Sequence, residues 1–402
     1  MRLLLAAYAW LFLASAQADW PQFLGPNRNG VSTDKVSLAK SLPEDGLKRL
    51  WSHAVGDGFA GPVVSGDRCL IFHRQKDRAL LESLEVKTGK RQWAFDYETS
   101  YIDNFGFDPG PRSTPTVAGD RVFIHGAEGQ LHAVQLSDGK LLWKRDLAKE
   151  FSSPAGFFGR ASTPLVVGDL VLLDIGGKHA GKPANLIAFE AATGALKWTA
   201  GDGEADYASP VLLGASTPSP LALFFVREGL VAVTPSNGTI RFEERFRSSI
   251  HASVNAASPV VVGDRFFLSS CYNVGAGLWE WNGTTLTSVY KRQDVLDCHF
   301  STPVHHDGYL YGFHGRQEMG QELRCIGFAD GDVQWSQPMP AGSVMIADGK
   351  LLVLTERGEI LVGEATPKAW QIHYRAQVTG AETRALPALA NGFFFARDKR
   401  KL

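Results

Sequence analysis

The stretch AFEAATGALKW, residues 188–198, places a small residue first, glycine six positions on and a large aromatic four positions after that. The same internal spacing recurs at Ser83/Gly89/Trp93, Ala133/Gly139/Trp143, Ala232/Gly238/Phe242 and Cys325/Gly331/Trp335. The aromatics follow one another at about 50 residues, with one double interval holding a degenerate unit between Trp281 and Tyr290, and such a period belongs to repeat architectures. Ahead of each unit stands an apolar run split by a tight turn. The runs are PVVSGDRCLIF from Pro62, PTVAGDRVFIH from Pro115, PLVVGDLVLLD from Pro164, PVVVGDRFFLS from Pro259, PVHHDGYLYGF from Pro303, VMIADGKLLVL from Val344 and PALANGFFFAR from Pro387, with a looser version after Pro210. Each reads as strand, two-residue turn, strand, because Gly-Asp, Asp-Gly and Asn-Gly supply the positive φ that hairpin turns need.

Each unit is thus four strands, A to D: an A–B hairpin followed by a C–D hairpin turning at Gly89, Gly139, Gly194, Gly238 or Gly331. Four strands per repeat of this length predict an all-β fold, an eight-bladed β-propeller with four-stranded antiparallel blades. The eighth A–B hairpin runs into the C-terminus without a D strand, whereas residues 48–53, with Trp51, read as a D strand with nothing before it. The N-terminal strand is therefore expected to complete the last blade and close the ring. The repeated tryptophans are expected to dock each blade on its neighbour, and turn carboxylates such as Asp67, Asp120, Asp169 and Asp264 to serve the turns themselves.

Composition narrows the function. The 402 residues carry 41 Lys plus Arg against 42 Asp plus Glu, so bulk positive charge offers nothing to a nucleic acid. The four cysteines, Cys69, Cys271, Cys298 and Cys325, are too far apart for a C-x-x-C motif. Arg2, the apolar run LLLAAYAWLFLA at residues 3–14 and the small-x-small pattern Ala16-Gln17-Ala18 read as an export leader cut near Ala18. The run is too short to span a bilayer, no later one is longer, and no cysteine follows the cut. The expected organisation is a signal peptide (1–18), an N-terminal extension (19–46) and the propeller (47–402), a monomer, periplasmic or secreted.

The unit A-x-x-x-x-T-G-x-x-x-W of residues 188–198 resembles the tryptophan-docking repeat of the pyrroloquinoline quinone (PQQ) propeller proteins. The opening WPQFLGPNRNG, residues 20–30, is similar to the start of secreted bacterial PQQ-binding-like repeat proteins. The resemblance covers essentially the whole mature chain, and it implies the fold more firmly than an activity. The superfamily includes quinoprotein alcohol dehydrogenases and a non-catalytic assembly lipoprotein of the outer membrane. Two departures stand out: there is no adjacent cysteine pair such as the best-known dehydrogenases carry beside their cofactor, and no cysteine for lipidation. Neither calcium ligands nor a catalytic aspartate transfer to any motif here.

The loops supply a separate argument. A–B and C–D turns are short, whereas the D–A connections 96–113 and 146–162 are long and the B–C connections expand at 176–185, 272–278 and 314–322. Both long classes emerge on one side of a ring, where binding residues usually sit. Just before the inner strands there stand Arg112, Arg160, Asp206 with Tyr207, His251 with Asn255, His299 and Arg384. As a funnel lining they would suit an anionic or polyhydroxylated ligand, PQQ being one such tricarboxylate. The alternative is that these side chains satisfy loop carbonyls and cap strand ends around a water-filled channel. No metal-ligand spacing, nucleophile elbow or phosphate-binding loop is present. Cys271 and Cys298 fall near the loop side in adjacent blades and are candidates for a disulfide in an oxidising compartment. The leading expectation is a non-catalytic binding or scaffolding module whose partner, a protein, glycan or small anion, meets the loop-rich face; the rival is a PQQ- and Ca²⁺-dependent dehydrogenase of alcohols or sugars.

Overall fold

The computed structural model describes residues 18–402, so the expected leader lies, but for Ala18, outside the described residues. Strands consecutive in sequence pair into seven four-stranded antiparallel sheets, spanning 63–98, 116–146, 165–200, 211–245, 260–292, 304–339 and 342–377, numbered here as sheets 1 to 7. A two-stranded sheet 8 joins Ala388–Ala390 to Phe393–Phe395. Turn chemistry follows the order of the turn residues. In the Gly-Asp turns only the glycine has positive φ (60° at Gly66), as a type II′ turn requires, whereas Asp348-Gly349 and Asn391-Gly392 have it at both positions, as type I′ does. One expectation needs correction. Residues 176–185 are not a loop, because Leu170–His179 and Lys182–Glu190 continue as a long hairpin past a bulge between Asp174 and Gly177. The degenerate C–D unit between Trp281 and Tyr290 stands where it is expected and completes sheet 5 with the usual four strands.

The spacing of the repeat has a direct physical cause. The small residue lies opposite the aromatic across strands C and D: Ser83 faces Trp93, Ala133 faces Trp143, Ala188 faces Trp198 and Cys325 faces Trp335. A register shift follows each small residue. The indole N–H then donates to a carbonyl of the next sheet: Trp93 to Leu136 (3.0 Å), Trp143 to Ala191 (3.0 Å), Trp198 to Pro235 (2.8 Å) and Trp335 to Thr366 (2.9 Å). The rings of Trp93, Trp143 and Trp198 cover that sheet's C–D glycine, a Cβ on Gly194 falling 2.7 Å from the indole of Trp143, whereas Trp335 stacks on Trp370. Apolar side chains of successive sheets therefore pool, as where Phe123, Leu131 and Trp143 of sheet 2 meet Val171, Leu173 and Phe189 of sheet 3.

A second regularity runs along the inner edge. The residue before the proline that opens strand A is a buried Ser or Thr in sheets 2 to 6, and its hydroxyl accepts the corresponding amide of the preceding sheet. The chain runs Gly61 to Thr114 (3.2 Å), Thr114 to Thr163 (3.2 Å), Thr163 to Ser209 (3.1 Å), Ser209 to Ser258 (2.9 Å) and Ser258 to Thr302 (2.9 Å). At the chain ends, His53 and Leu402 exchange two backbone hydrogen bonds (2.8 and 2.9 Å) and the Val55 amide donates to Arg400 (2.8 Å). The Trp51 indole donates to Val86 of sheet 1 (2.8 Å). Pairing thus falls on residues 53–55, at the end of the expected 48–53 strand and just beyond it.

Candidate functional site

The site residues expected from sequence do not form one funnel lining; they divide into three groups. In the first, Arg112 and Arg384 meet over the ring of Phe59, with guanidinium carbons 5.1 and 5.7 Å from its centroid. Arg112 is paired with Asp103 (3.2 Å) and Arg384 with Glu356 (3.2 Å). Asp103 organises the D–A connection after sheet 1, since its carboxylate also accepts the amides of Phe105 (2.8 Å), Phe107 (3.1 Å) and Asp108 (2.9 Å). Burial of Asp103 opposes ionisation, but those amides and Arg112 outweigh it and hold its carboxyl below the usual range.

The second group surrounds a recess of about 280 Å³ that gathers Arg160, Asp206, Tyr207 and His251 with Asp174 and Arg227. Arg160 is buried and donates to the Ser153 hydroxyl (3.0 Å) and carbonyl. Asn255 lies beneath; its amide donates to Asp206 (2.8 Å) and its side chain to the carbonyls of Val226 (3.0 Å) and Phe246 (3.2 Å). Burial pushes Asp206 up to about 8 and Asp174 up to about 6. Arg227, 3.9 Å from Asp206, spends its other donors on the carbonyls of Ser253 and His251. The Tyr207 hydroxyl accepts the amides of Phe157 (2.7 Å) and Phe158 (3.0 Å), which fixes the D–A connection after sheet 2.

The third group is His299, hydrogen-bonded to the Tyr272 hydroxyl (2.8 Å) beneath Arg316, whose guanidinium lies 4.9 Å from the Tyr272 centroid. Burial lowers the His299 pKa and favours the neutral ring. Cys271 and Cys298, the expected disulfide, are free thiols. The Cys271 amide donates to Cys298 (3.0 Å), but the two sulfurs are aimed at different carbonyls, Asp297 (2.9 Å) and Leu296 (3.5 Å). Among the described residues no three His, Cys, Asp or Glu side chains gather as metal ligands, and no helix is long and apolar enough to cross a membrane.

Sequence reasoning missed an exposed aromatic cluster on this side. Phe105 and Phe107, 56% and 57% exposed, form one cluster with Phe157 and Phe158, with ring centroids 5.3 to 6.3 Å apart. Arg112 covers Phe158 (5.6 Å) and Arg227 covers Phe157 (5.5 Å). The signal was visible as two aromatic pairs in successive D–A connections, but nothing in their spacing says that the two connections touch.

A PQQ tricarboxylate would need guanidinium donors free to converge on it. Arg112, Arg160 and Arg384 are instead engaged by carboxylates and loop carbonyls and fall in two different groups, so the residues present do not fit the cofactor as expected from sequence.

Residues 77–337 match the sequence profile of the family described as outer membrane protein assembly factor BamB. The BamB of Moranella endobia (strain PCIT) is 23% identical over 278 residues, 65% of this chain and 66% of that protein, so the chain spans just under two thirds of that relative's length. The crystal structure of BamB from Moraxella catarrhalis superposes with a TM-score of 0.63 at 15% identity, covering 88% of this chain and 94% of that one. Quinohemoprotein alcohol dehydrogenase from Comamonas testosteroni superposes with 0.65 at 13% identity, covering 92% and 74%. At these identities the likeness shows the propeller fold, which serves an assembly factor and a dehydrogenase alike.

Proposed function

Because the chain belongs to the BamB family of PQQ-like propeller proteins, we propose that it is an exported, non-catalytic scaffold of the cell envelope that holds a protein partner on its loop-rich face. The reading includes a closed eight-bladed ring in which residues 53–55 and 400–402 complete the last blade, supported by the reciprocal bonds of His53 and Leu402. The observation that carries the functional reading is the cluster of Phe105, Phe107, Phe157 and Phe158. Phe105 and Phe107 are exposed and pack on Phe157 and Phe158, which Arg112, Arg227 and Tyr207 hold in place, and such rigid apolar area at low entropy cost is what a protein-binding surface offers. The dehydrogenase reading has no comparable support, since its arginines are committed elsewhere.

The test is a photo-crosslinking phenylalanine analogue placed at Phe105 in the native host, with a matched one at Asp169 on an exposed A–B turn. An adduct to one envelope protein from position 105 alone supports the scaffold. Tight, Ca²⁺-dependent binding of PQQ in a calorimetric titration, with cofactor-dependent reduction of an artificial acceptor, would overturn it.

A further inference from the structure

The motif WPQFLGPNRNG crosses the side of the A–B turns, away from the loop-rich face. Trp20 exchanges two backbone hydrogen bonds with Val64 of sheet 1 (2.9 and 2.8 Å), and the Val117 amide of sheet 2 donates to Pro21 (2.8 Å). Gly30 accepts from the Ile346 amide of sheet 7 (2.9 Å), and a Cβ there would fall 2.4 Å from Val304 of sheet 6. Carboxylates fasten the margins: Asp19 takes the Gly66 amide (2.9 Å), Asp34 that of Gly392 (2.6 Å) and Asp348 that of Leu38 (2.9 Å).

Arg28 reaches the remaining wall. Its buried guanidinium donates to Gln22 (2.8 Å), to the Pro210 carbonyl at the start of sheet 4 (2.8 Å) and to the Pro164 carbonyl of sheet 3, with the Thr163 carbonyl and the Thr116 hydroxyl at 3.5 Å. Those carbonyls stand where strands A of sheets 3 and 4 begin, beside the Thr163 and Ser209 members of the hydroxyl chain. No carboxylate pairs with it among the described residues, and burial lowers its pKa to about 9. A buried cation without a counter-ion is costly unless its donors are met, and a planar fork of N–H groups is the form that converging carbonyls satisfy best. The backbone bends to aim it, with Leu24 and Arg28 both in the left-handed region (φ 56° and 51°).

We propose that the A–B-turn mouth of the ring is a peptide site that recognises a guanidinium through carbonyl oxygens, filled in cis by residues 19–34 as a plug anchored on Arg28. The proposal rests on the closed-ring reading, and its test separates the two. Hydrogen exchange is followed in the mature chain, residues 19–402, and in Arg28→Ala and the milder Gln22→Ala. The Val117 and Ile346 amides, which donate into the plug, are expected to be slow in the parent and to exchange about tenfold faster or more in Arg28→Ala. The effect is smaller in Gln22→Ala, and in both variants His53 and Leu402 stay slow. Millimolar methylguanidinium restores protection in Arg28→Ala, and methylammonium does not. Unchanged protection of Val117 and Ile346 in both variants overturns the anchor, and equal rescue by methylammonium overturns guanidinium recognition. Fast exchange of His53 and Leu402 in the parent overturns the ring, and with it the mouth to be filled.

Discussion

Asp206 stands far from the ordinary chemistry of an aspartate. With a folded-state pKa of about 8, far above the unfolded value near 4, it holds a proton that the unfolded chain has released across that window, so its contribution to stability falls as pH rises toward 8. Asn in its place keeps an oxygen for the Asn255 amide and has nothing to titrate. The unfolding free energy of Asp206→Asn relative to the parent, read from denaturant unfolding, should therefore climb between pH 6.5 and 8, by at most about 1.4 kcal/mol per pH unit. That range lies above the titration of His125 and His132, both pushed down to about 4 by burial. A flat difference would mean that the carboxylate is already ionised at pH 6.5. Ser258 permits a test of the hydroxyl chain: Ser258→Ala leaves the Ser209 amide without its acceptor (2.9 Å) and should cost about 1–3 kcal/mol in denaturant unfolding. The Ser/Thr-Pro pairs that build this chain stand openly in the sequence. Their role was not legible because a side chain before a proline gives no sign of which amide, in another sheet, it will meet.

At the scale of the element, the C–D hairpin is a complete instruction. Small residue, glycine and aromatic fix a cross-strand pair, a turn and a docking contact to the next sheet, which is why the sheets were readable almost strand by strand. The instruction degrades where its parts change. Phe242 has no N–H to donate and instead lies tilted against Trp281 (4.6 Å) and stacked on Phe266 (5.9 Å), while Tyr290 replaces the indole with a hydroxyl 3.3 Å from the Phe328 carbonyl. Trp198→Phe should accordingly cost little more than its hydrogen bond, about 1 kcal/mol, whereas Trp198→Ala should cost about 3–5 kcal/mol. Gly194→Ala should destabilise as well, because its Cβ would meet the Trp143 ring at 2.7 Å at a φ of 72°. Loops carry no such code. The three arginines expected to converge were placed correctly before their inner strands, but their partners, Asp103, Ser153 and Glu356, lie within connections whose paths no periodicity describes.

At the scale of the whole molecule the question is whether the first and last sheets behave as ends. One core cluster joins Val64 and Ile71 of sheet 1 with Met345 and Leu352 of sheet 7 and Ala388 and Leu389 of sheet 8, and Trp51 docks on sheet 1 as interior tryptophans dock on theirs. In an open array of repeats each unit is held only by its neighbours, so a terminal unit frays and truncating its contacts is nearly silent. In a closed ring no unit is terminal. Trp51→Ala should then destabilise by an amount comparable to Trp143→Ala, about 3–5 kcal/mol, and both should unfold in a single transition by fluorescence and circular dichroism alike. A small cost at Trp51 beside a full cost at Trp143, or an early separate transition, would mean that sheets 1 and 8 part before the rest unfolds. On the proposed scaffold reading, partner binding makes the same distinction in function. The phenylalanine cluster stands on the connections after sheets 1 and 2, next to the closure, so an opening seam would loosen the very loops that present Phe105 and Phe107, and Trp51→Ala would weaken partner capture where Trp335→Ala would not.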